Sequence, residues 1–184
     1  MIVSRPAANE HAPYYSTYIG AATTALEAQG NDDLIALLEA QTSQLRALLA
    51  GRDAQIGQYA YAAGKWTLGE SLVHVADTER VFSYRLVWIA RGDQAPLPGF
   101  DQDPWVPNSR AQSRSLANIL DELEAVRGAT LALVRSLDAE AIAATGTASG
   151  ATVSARALVW IIAGHFAHHL GLTRDRYLPT AVTG

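Results

Sequence analysis

Residues 91–110 read RGDQAPLPGFDQDPWVPNSR and connect two stretches of helical sequence. The four prolines and two glycines of this segment exclude a continuous helix. Connections in compact domains usually have about 4–6 residues, so a connection of this length requires a reason. About 20 extended residues can run back along a helix that is roughly 33 Å long. The segment therefore predicts that the helices on its two sides lie parallel, as in a four-helix bundle with a long crossover. A second, compatible reason is that Phe100 or Trp105 covers a functional site.

Four helical segments account for most of the remaining chain. Apolar residues recur in them at three- and four-residue spacing, which is typical of amphipathic helices. The predicted helices are residues 32–49, 68–90, 116–137 and 155–177. The clearest start is Thr67 with Glu70 three residues later, because this pair forms a capping box. Asn31 is the expected cap of the first helix and Gly51 its end, and Pro179 stops the last helix.

The remaining segments indicate no second fold class. Residues 14–29 either extend the first helix or form a turn of their own. Strand-like alternation of apolar and polar residues is missing, so we predict an all-α fold. A chain of 184 residues is long enough for one domain, 1–184, with a core at about residues 14–178 and flexible ends.

Composition narrows the function classes. The net charge of -4 argues against nucleic acid as the main partner, because binding to phosphates requires a basic surface. The chain shows neither a signal sequence nor an apolar run of about 20 residues, so we expect a cytoplasmic protein that binds no membrane. It contains no cysteine, which leaves His, Asp and Glu as the only strong metal ligands and excludes a cysteine nucleophile.

The histidines indicate a metal site. His165 and His169 are four residues apart in an apolar helix, so both side chains can contact one ion. His74 interrupts the apolar stripe of another helix and is the candidate third ligand, whereas His168 is placed towards the rim and His11 is expected to be exposed. The alternative is that these are hydrogen-bonded core histidines with no metal.

Two carboxylates lie near His74 in the sequence. Glu70 and Asp77 fall on nearly the same helix face and could, like His168, orient a ligand or a bound water. The position after His165 is Phe166, so the general base of an HExxH motif is missing. In the alternative, Glu70 only caps its helix, and the other carboxylates form ion pairs: Asp77 and Glu79 with Arg80 or Arg85.

Several motifs together resemble the DinB-like family of bacterial four-helix metalloproteins. These are GKWTLGESLVH at residues 64–74, DTER at 77–80, YR at 84–85, ARGD at 90–93, PLPGFD at 96–101 and GHFAHH at 164–169. Each motif alone is moderately specific, but their order and separation over residues 14–178 are distinctive.

The resemblance implies a divalent metal, usually zinc or nickel, bound by His74, His165 and His169. It also implies an up-down-down-up bundle with the crossover between the second and third helices, and a homodimer. Relatives include S-transferases that use low-molecular-weight thiols, a mycothiol-dependent isomerase and proteins described as metal-dependent hydrolases. Many members have Glu at the position of Phe166, so this chain departs from the pattern there.

The leading hypothesis is a metal-dependent enzyme that acts on a small molecule. The metal would lower the pKa of a thiol co-substrate, which suits an S-transferase in detoxification or stress response. Arg91 and Arg110 could bind the anionic part of such a thiol, or could be solvated surface residues. The alternatives are a metal-dependent hydrolase and a metal-binding stress protein without catalytic activity.

Overall fold

The structure is a computed structural model that describes residues 3–178. Within these residues the chain is mostly helical, and it also contains one pair of short strands. The helices are α1 Ser16–Gln29, α2 Leu34–Leu49, α3 Leu68–Ala90, α4 Trp105–Asn108, α5 Leu116–Arg135, α6 Ala139–Ala143 and α7 Ala155–Leu172. The strands are β1 Thr145–Ala148 and β2 Ala151–Ser154. None of the described helices is long and apolar enough to span a membrane.

The start of α3 follows the predicted capping box. The Glu70 backbone N–H donates to the Thr67 hydroxyl at 3.2 Å, and the Thr67 N–H donates to the Glu70 carboxylate at 2.8 Å. Because both contacts are local, the sequence predicts the start of this helix correctly, and the predicted end at about residue 90 is confirmed as well.

The region before α3 contains two helices instead of one. Residues 14–29 mostly form α1, which ends at Gly30 in the left-handed conformation with φ 75°. Asp33, not Asn31, caps α2, because its carboxylate accepts the N–H groups of Ile35 and Ala36. Asn31 instead accepts the N–H of Asp33 at 2.8 Å. The helix therefore starts two residues after the predicted position.

The strands correct the all-α prediction. They pair antiparallel, and Ser149 and Gly150 connect them with positive φ angles of 53° and 75°. Two such residues in succession are typical of a tight hairpin turn. The hairpin also binds the crossover, since the Leu97 N–H donates to Thr147 and the Ser149 N–H donates to Leu97, at 2.9 and 3.1 Å.

The last two long helices end earlier than predicted. α5 ends at Arg135 and α7 at Leu172, and a π-helical turn, Thr173–Tyr177, follows α7. The predicted stop at Pro179 lies outside the described residues.

A buried polar network joins α2, α3, α5 and α7. The Arg127 guanidinium donates to both carboxylate oxygens of Glu79 at 2.8 Å. It also donates to the Leu38 carbonyl and the Gln41 side-chain oxygen, at 2.7 and 2.8 Å. Gln41 in turn donates to the Ala163 carbonyl at 2.7 Å. These contacts connect the four helices, and α1 packs against α7.

α3 and α5 contact each other in the same residue order. A Cβ at Gly69 would lie 3.5 Å from the Ile119 side chain, and fourteen residues later Ser83 contacts the Thr130 hydroxyl at 2.9 Å. The two helices therefore run in the same direction.

The first described residues pack on the helices. Val3 is buried, and its carbonyl accepts from the Trp160 indole at 3.0 Å. His11 was expected to be exposed, but only 9% of it is, and its Nδ1 lies 3.0 Å from the Ala12 carbonyl. The prediction failed because the polar composition of this segment did not reveal its packing against α7 and the hairpin.

Candidate metal centre

His74, His165 and His169 converge although they come from two helices. One nitrogen from each ring lies within 4.8 Å of the others. The Nε2 atoms of His74 and His165 are 3.2 Å apart. Two nitrogens on a tetrahedral zinc ion with bonds of about 2.0 Å are separated by roughly 3.3 Å. The arrangement therefore fits a divalent metal without rearrangement of these two ligands.

The environment keeps the three rings neutral at pH 7. Burial lowers the pKa of His74 to about 4, and the negative charge of Asp103 opposes this shift only in part. Burial, together with the charges of neighbouring histidines, lowers the pKa of His165 and of His169 well below the usual value. Neutral imidazole is the form that binds metals, so these shifts favour ligation.

Two hydroxyl groups contact the Nδ1 atoms of the His169 and His74 rings. The Ser71 Oγ lies 3.0 Å from Nδ1 of His169, and the Thr78 Oγ1 lies 3.4 Å from Nδ1 of His74. A hydroxyl that accepts from Nδ1–H leaves the Nε2 lone pair free for a metal. The sequence analysis missed both residues. Ser71 lies three residues before His74 and Thr78 four residues after it, so all three share one helix face, and this spacing was the available signal in the sequence.

The carboxylates Glu70 and Asp77 have other partners. Glu70 caps α3 through Thr67 and also accepts from the Gln112 amide. Asp77 accepts from Arg80 at 3.1 Å, and burial raises its pKa. The hydrogen bonds of both residues therefore match the alternative in which they cap a helix and form an ion pair.

Glu79 pairs with Arg127 and not with Arg80 or Arg85. This partner lies 48 residues away in the chain, so local spacing could not reveal it.

His168 lies at the exposed rim. Its ring contacts those of His169 and Tyr18, with centroids 5.2 and 5.9 Å away. Tyr18 reaches the site because α1 and α7 touch at Gly164, where an added Cβ would lie 1.8 Å from the Tyr18 carbonyl oxygen. This contact places the Tyr18 ring 5.1 Å from that of His165.

A cavity of about 460 Å³ opens on one side of the histidines. Its wall is largely aromatic, and His74 and His165 form part of it. The aromatic lining residues are Tyr14, Tyr15, Tyr18, Phe82 and Phe100. Burial raises the pKa of Tyr15 to about 12, so this hydroxyl stays protonated at neutral pH.

A second cavity, of about 410 Å³, lies on the other side and includes His169. Its lining carries charged and polar groups as well as rings. These residues include Tyr61, Lys65, Trp66, Ser71, Asp103 and Tyr177. The three histidines thus have an open space on each side.

The crossover covers the site through Phe100. This ring lines the first cavity, and Trp105 packs on it with centroids 5.2 Å apart while remaining 42% exposed. Arg91 and Arg110 are exposed and are not among the lining residues of either cavity, so the structure provides no support for anion binding by them.

Phe166 packs into the bundle. It is buried, and the Arg127 guanidinium lies 4.7 Å from its ring centroid. The Phe166 side chain therefore stabilises the core through a cation–π contact.

Comparison with solved structures gives a match to YfiT from Bacillus subtilis, described as a probable metal-dependent hydrolase with an unusual four-helix bundle topology. The TM-score is 0.68 and the identity 18%, over 77% of this chain and 84% of YfiT, so the two share a fold. No curated protein sequence matches the chain. The sequence model of the DinB superfamily matches residues 22–173. The chain therefore belongs to the DinB superfamily.

Proposed function

We propose that His74, His165 and His169 bind a divalent metal, zinc or nickel, and that the protein is a cytoplasmic thiol-dependent S-transferase in detoxification or stress response. The observation that supports this proposal most directly is that one nitrogen of each neutral imidazole lies within 4.8 Å of the others, between two cavities. A transferase must hold two reactants next to one centre, and a cavity on each side of the histidines suits that requirement.

A metal at this site would lower the pKa of a bound thiol or water to near neutrality, so that a nucleophile exists at pH 7. The chain's own residues hold and orient the ligands: Ser71 and Thr78 fix two rings through Nδ1. Phe100 lines one cavity, and its apolar ring would limit the access of water to a reactant bound there. The sulfur must come from a co-substrate because the chain has no cysteine.

Hydrolysis is the second candidate. Asp103 lines the same cavity as His169 and could accept a proton from water there. YfiT, which has the same fold, is described as a probable metal-dependent hydrolase.

Metal content tests the first part of the proposal. The wild type and the His168→Ala variant, which loses only an exposed ring, are each dialysed against zinc or nickel and analysed by mass spectrometry. We expect about one ion per chain in both and almost none in the triple variant His74→Ala, His165→Ala, His169→Ala. Equal, negligible metal in all three proteins would overturn the proposal and favour a His74–His165 hydrogen bond.

A thiol screen tests the second part. The loaded protein is incubated with a generic electrophile and bacillithiol, mycothiol, glutathione or coenzyme A. Thiol-dependent turnover supports S-transfer. Ester or amide cleavage without a thiol requirement would replace it with hydrolysis, and metal binding without any turnover would indicate a binding protein.

We also infer the up-down-down-up order of α2, α3, α5 and α7. The shared direction of α3 and α5 supports it. So do the ion pairs Arg135–Glu39 and Arg46–Glu124, because they join later residues of α5 to earlier residues of α2.

A further inference from the structure

Arg85 is a buried cation beside the first cavity. Only 2% of the residue is exposed. Among residues 3–178 no ion pair joins it to a carboxylate, whereas the equally buried Arg127 is paired with Glu79. A buried charge without a counterion is costly, so it requires compensation by neutral dipoles or by an anion.

The partners of Arg85 are neutral oxygens. It donates to the Tyr15 hydroxyl at 3.2 Å, to the Pro98 carbonyl at 2.8 Å and to the Ser149 hydroxyl at 2.9 Å. The guanidinium also lies 5.5 Å from the Phe100 ring centroid. These contacts hold Arg85 between the crossover and the hairpin.

The two hydroxyls can act as donors towards the cavity. Arginine has only donors, so the Tyr15 and Ser149 oxygens are acceptors towards Arg85, and their own hydrogens can be donated elsewhere. Both residues line the cavity. The Tyr15 hydroxyl can also donate to the Tyr14 hydroxyl oxygen, which competes with a ligand for this hydrogen. The Ser149 hydroxyl is therefore the more readily available donor.

The backbone keeps the Ser149 hydroxyl accessible. Ser149 lies in the left-handed conformation with φ 53°, which is unusual for a residue with a side chain. Gly99 also lines the cavity, and a Cβ there would lie 3.6 Å from the Ser149 Oγ. The missing side chain at Gly99 therefore leaves room next to this hydroxyl.

The wall of this cavity favours a negative ligand. None of its described lining residues is acidic, whereas Asp103 lines the cavity on the other side of the histidines. The aromatic rings around it suit a small, planar molecule. The first cavity thus has no charged side chain in its described wall and a buried cation, Arg85, behind it, whereas the second cavity has one residue of each sign, Lys65 and Asp103.

We propose that the first cavity binds the carboxylate of a small-molecule substrate through the Tyr15 and Ser149 hydroxyls, with Arg85 as the positioning residue behind them. This inference assigns a substrate class to the enzyme. Its relevance to catalysis rests on the proposed function, whereas the binding of a carboxylate does not. The carboxylate is carried either by the electrophilic substrate or by the thiol, and the experiment separates these two sources.

The test is a binding titration of metal-free protein at pH 7.5, followed by NMR, with benzoate and with its neutral counterpart benzamide. We expect benzoate to bind at least about tenfold more tightly. Ser149→Ala and Tyr15→Phe should each weaken benzoate binding by about tenfold and benzamide binding by less, because the benzamide carbonyl accepts a hydrogen bond without a charge. Tyr84→Phe, which removes an exposed hydroxyl outside the cavity, should change neither.

The role of Arg85 requires a measurement that would not change if the residue were purely structural. Arg85→Gln should remove the preference for benzoate over benzamide, and Arg85→Lys should restore part of it because the charge remains. If Arg85→Gln does not fold, the Ser149→Ala result decides alone. Equal affinities for the two probes in the wild type, or a preference unchanged in Ser149→Ala, would overturn the proposal.

Two further measurements identify which reactant carries the carboxylate, and distinguish failure of this inference from failure of the proposed function. Glutathione that displaces benzoate in wild type but not in Ser149→Ala assigns the carboxylate to the thiol, and no displacement assigns it to the electrophile. A preference for benzoate that exists only after zinc loading would overturn the inference, since the metal would then bind the probe. Absence of metal binding refutes the proposed function and leaves the metal-free titration valid.

Discussion

The Nε2 atoms of His74 and His165 lie 3.2 Å apart, although 91 positions separate the two residues in the chain. At this distance either one neutral ring donates an Nε2–H to the other, or a cation lies between the two Nε2 lone pairs. The low pKa of both rings disfavours a protonated, positively charged imidazole in this pair. A metal ion would satisfy both nitrogens, and the Thr78 hydroxyl beside Nδ1 of His74 is placed to leave the Nε2 lone pair of that ring free for it.

The first prediction concerns the hydroxyl behind His169. Ser71→Ala should weaken zinc affinity by about 10–100-fold, because removal of a partner that orients a ligand has that typical effect. Competition against a chromophoric chelator measures the affinity. Ser83→Ala on the same helix, whose hydroxyl contacts Thr130, should bind zinc like the wild type. Unchanged affinity in Ser71→Ala would show that Ser71 does not orient His169.

Local signals explain which helices the sequence could predict. The start of α3 depends on Thr67 and Glu70, which contact each other within one turn. The hairpin was missed because each strand has only four residues, and because its hydrogen bonds to Leu97 of the crossover join residues that are distant in the chain. The dipeptide Ser149-Gly150, typical of a tight turn, was the available signal.

The candidate site was likewise predictable only where local sequence patterns place its residues. Helical spacing selects His165 and His169, and the apolar stripe of α3 selects His74, so the three histidines that converge in the structure follow from local patterns. Arg85 could not be found in this way. Its partners Tyr15 and Ser149 lie 70 and 64 residues away, and only the folded chain brings them to one cavity.

The second prediction concerns pH. The pKa of His74 falls from about 6.5 in the unfolded chain to about 4 in the folded one, so between these values the unfolded state binds more protons. The metal-free protein should therefore be most stable above pH 6.5 and lose stability as the pH falls towards 4. His165 and His169 act in the same direction.

Urea unfolding at pH 7.0 and 5.5 measures this effect. The loss attributable to His74 alone is about 1 kcal/mol over this interval. The His74→Ala variant should show a correspondingly smaller loss. A metal-free protein that becomes more stable at pH 5.5 would contradict the neutral state of the three rings.

The third prediction concerns the buried ion pair of Arg127 and Glu79. Arg127→Met should lower the free energy of unfolding by about 3–5 kcal/mol, because it leaves Glu79 buried and unpaired. Arg46→Met removes a more exposed arginine paired with Asp121 and Glu124, and should cost less than about 1 kcal/mol. Urea unfolding compares the two variants, and equal losses would show that Glu79 is compensated by other groups.

The fourth prediction compares two glycines of α7. At Gly164 an added Cβ would overlap the Tyr18 carbonyl oxygen, whereas at Gly171 no atom lies within 4 Å. Gly164→Ala should destabilise the protein by about 1–3 kcal/mol or more, because the clash is with backbone and α1 must move away. Gly171→Ala should stabilise it by about 0.5–1 kcal/mol, the usual advantage of alanine in a helix. Since Tyr18 contacts His165, Gly164→Ala should also weaken zinc binding. Similar thermal unfolding and zinc affinity in the two variants would show that α1 does not pack this closely on the candidate metal centre.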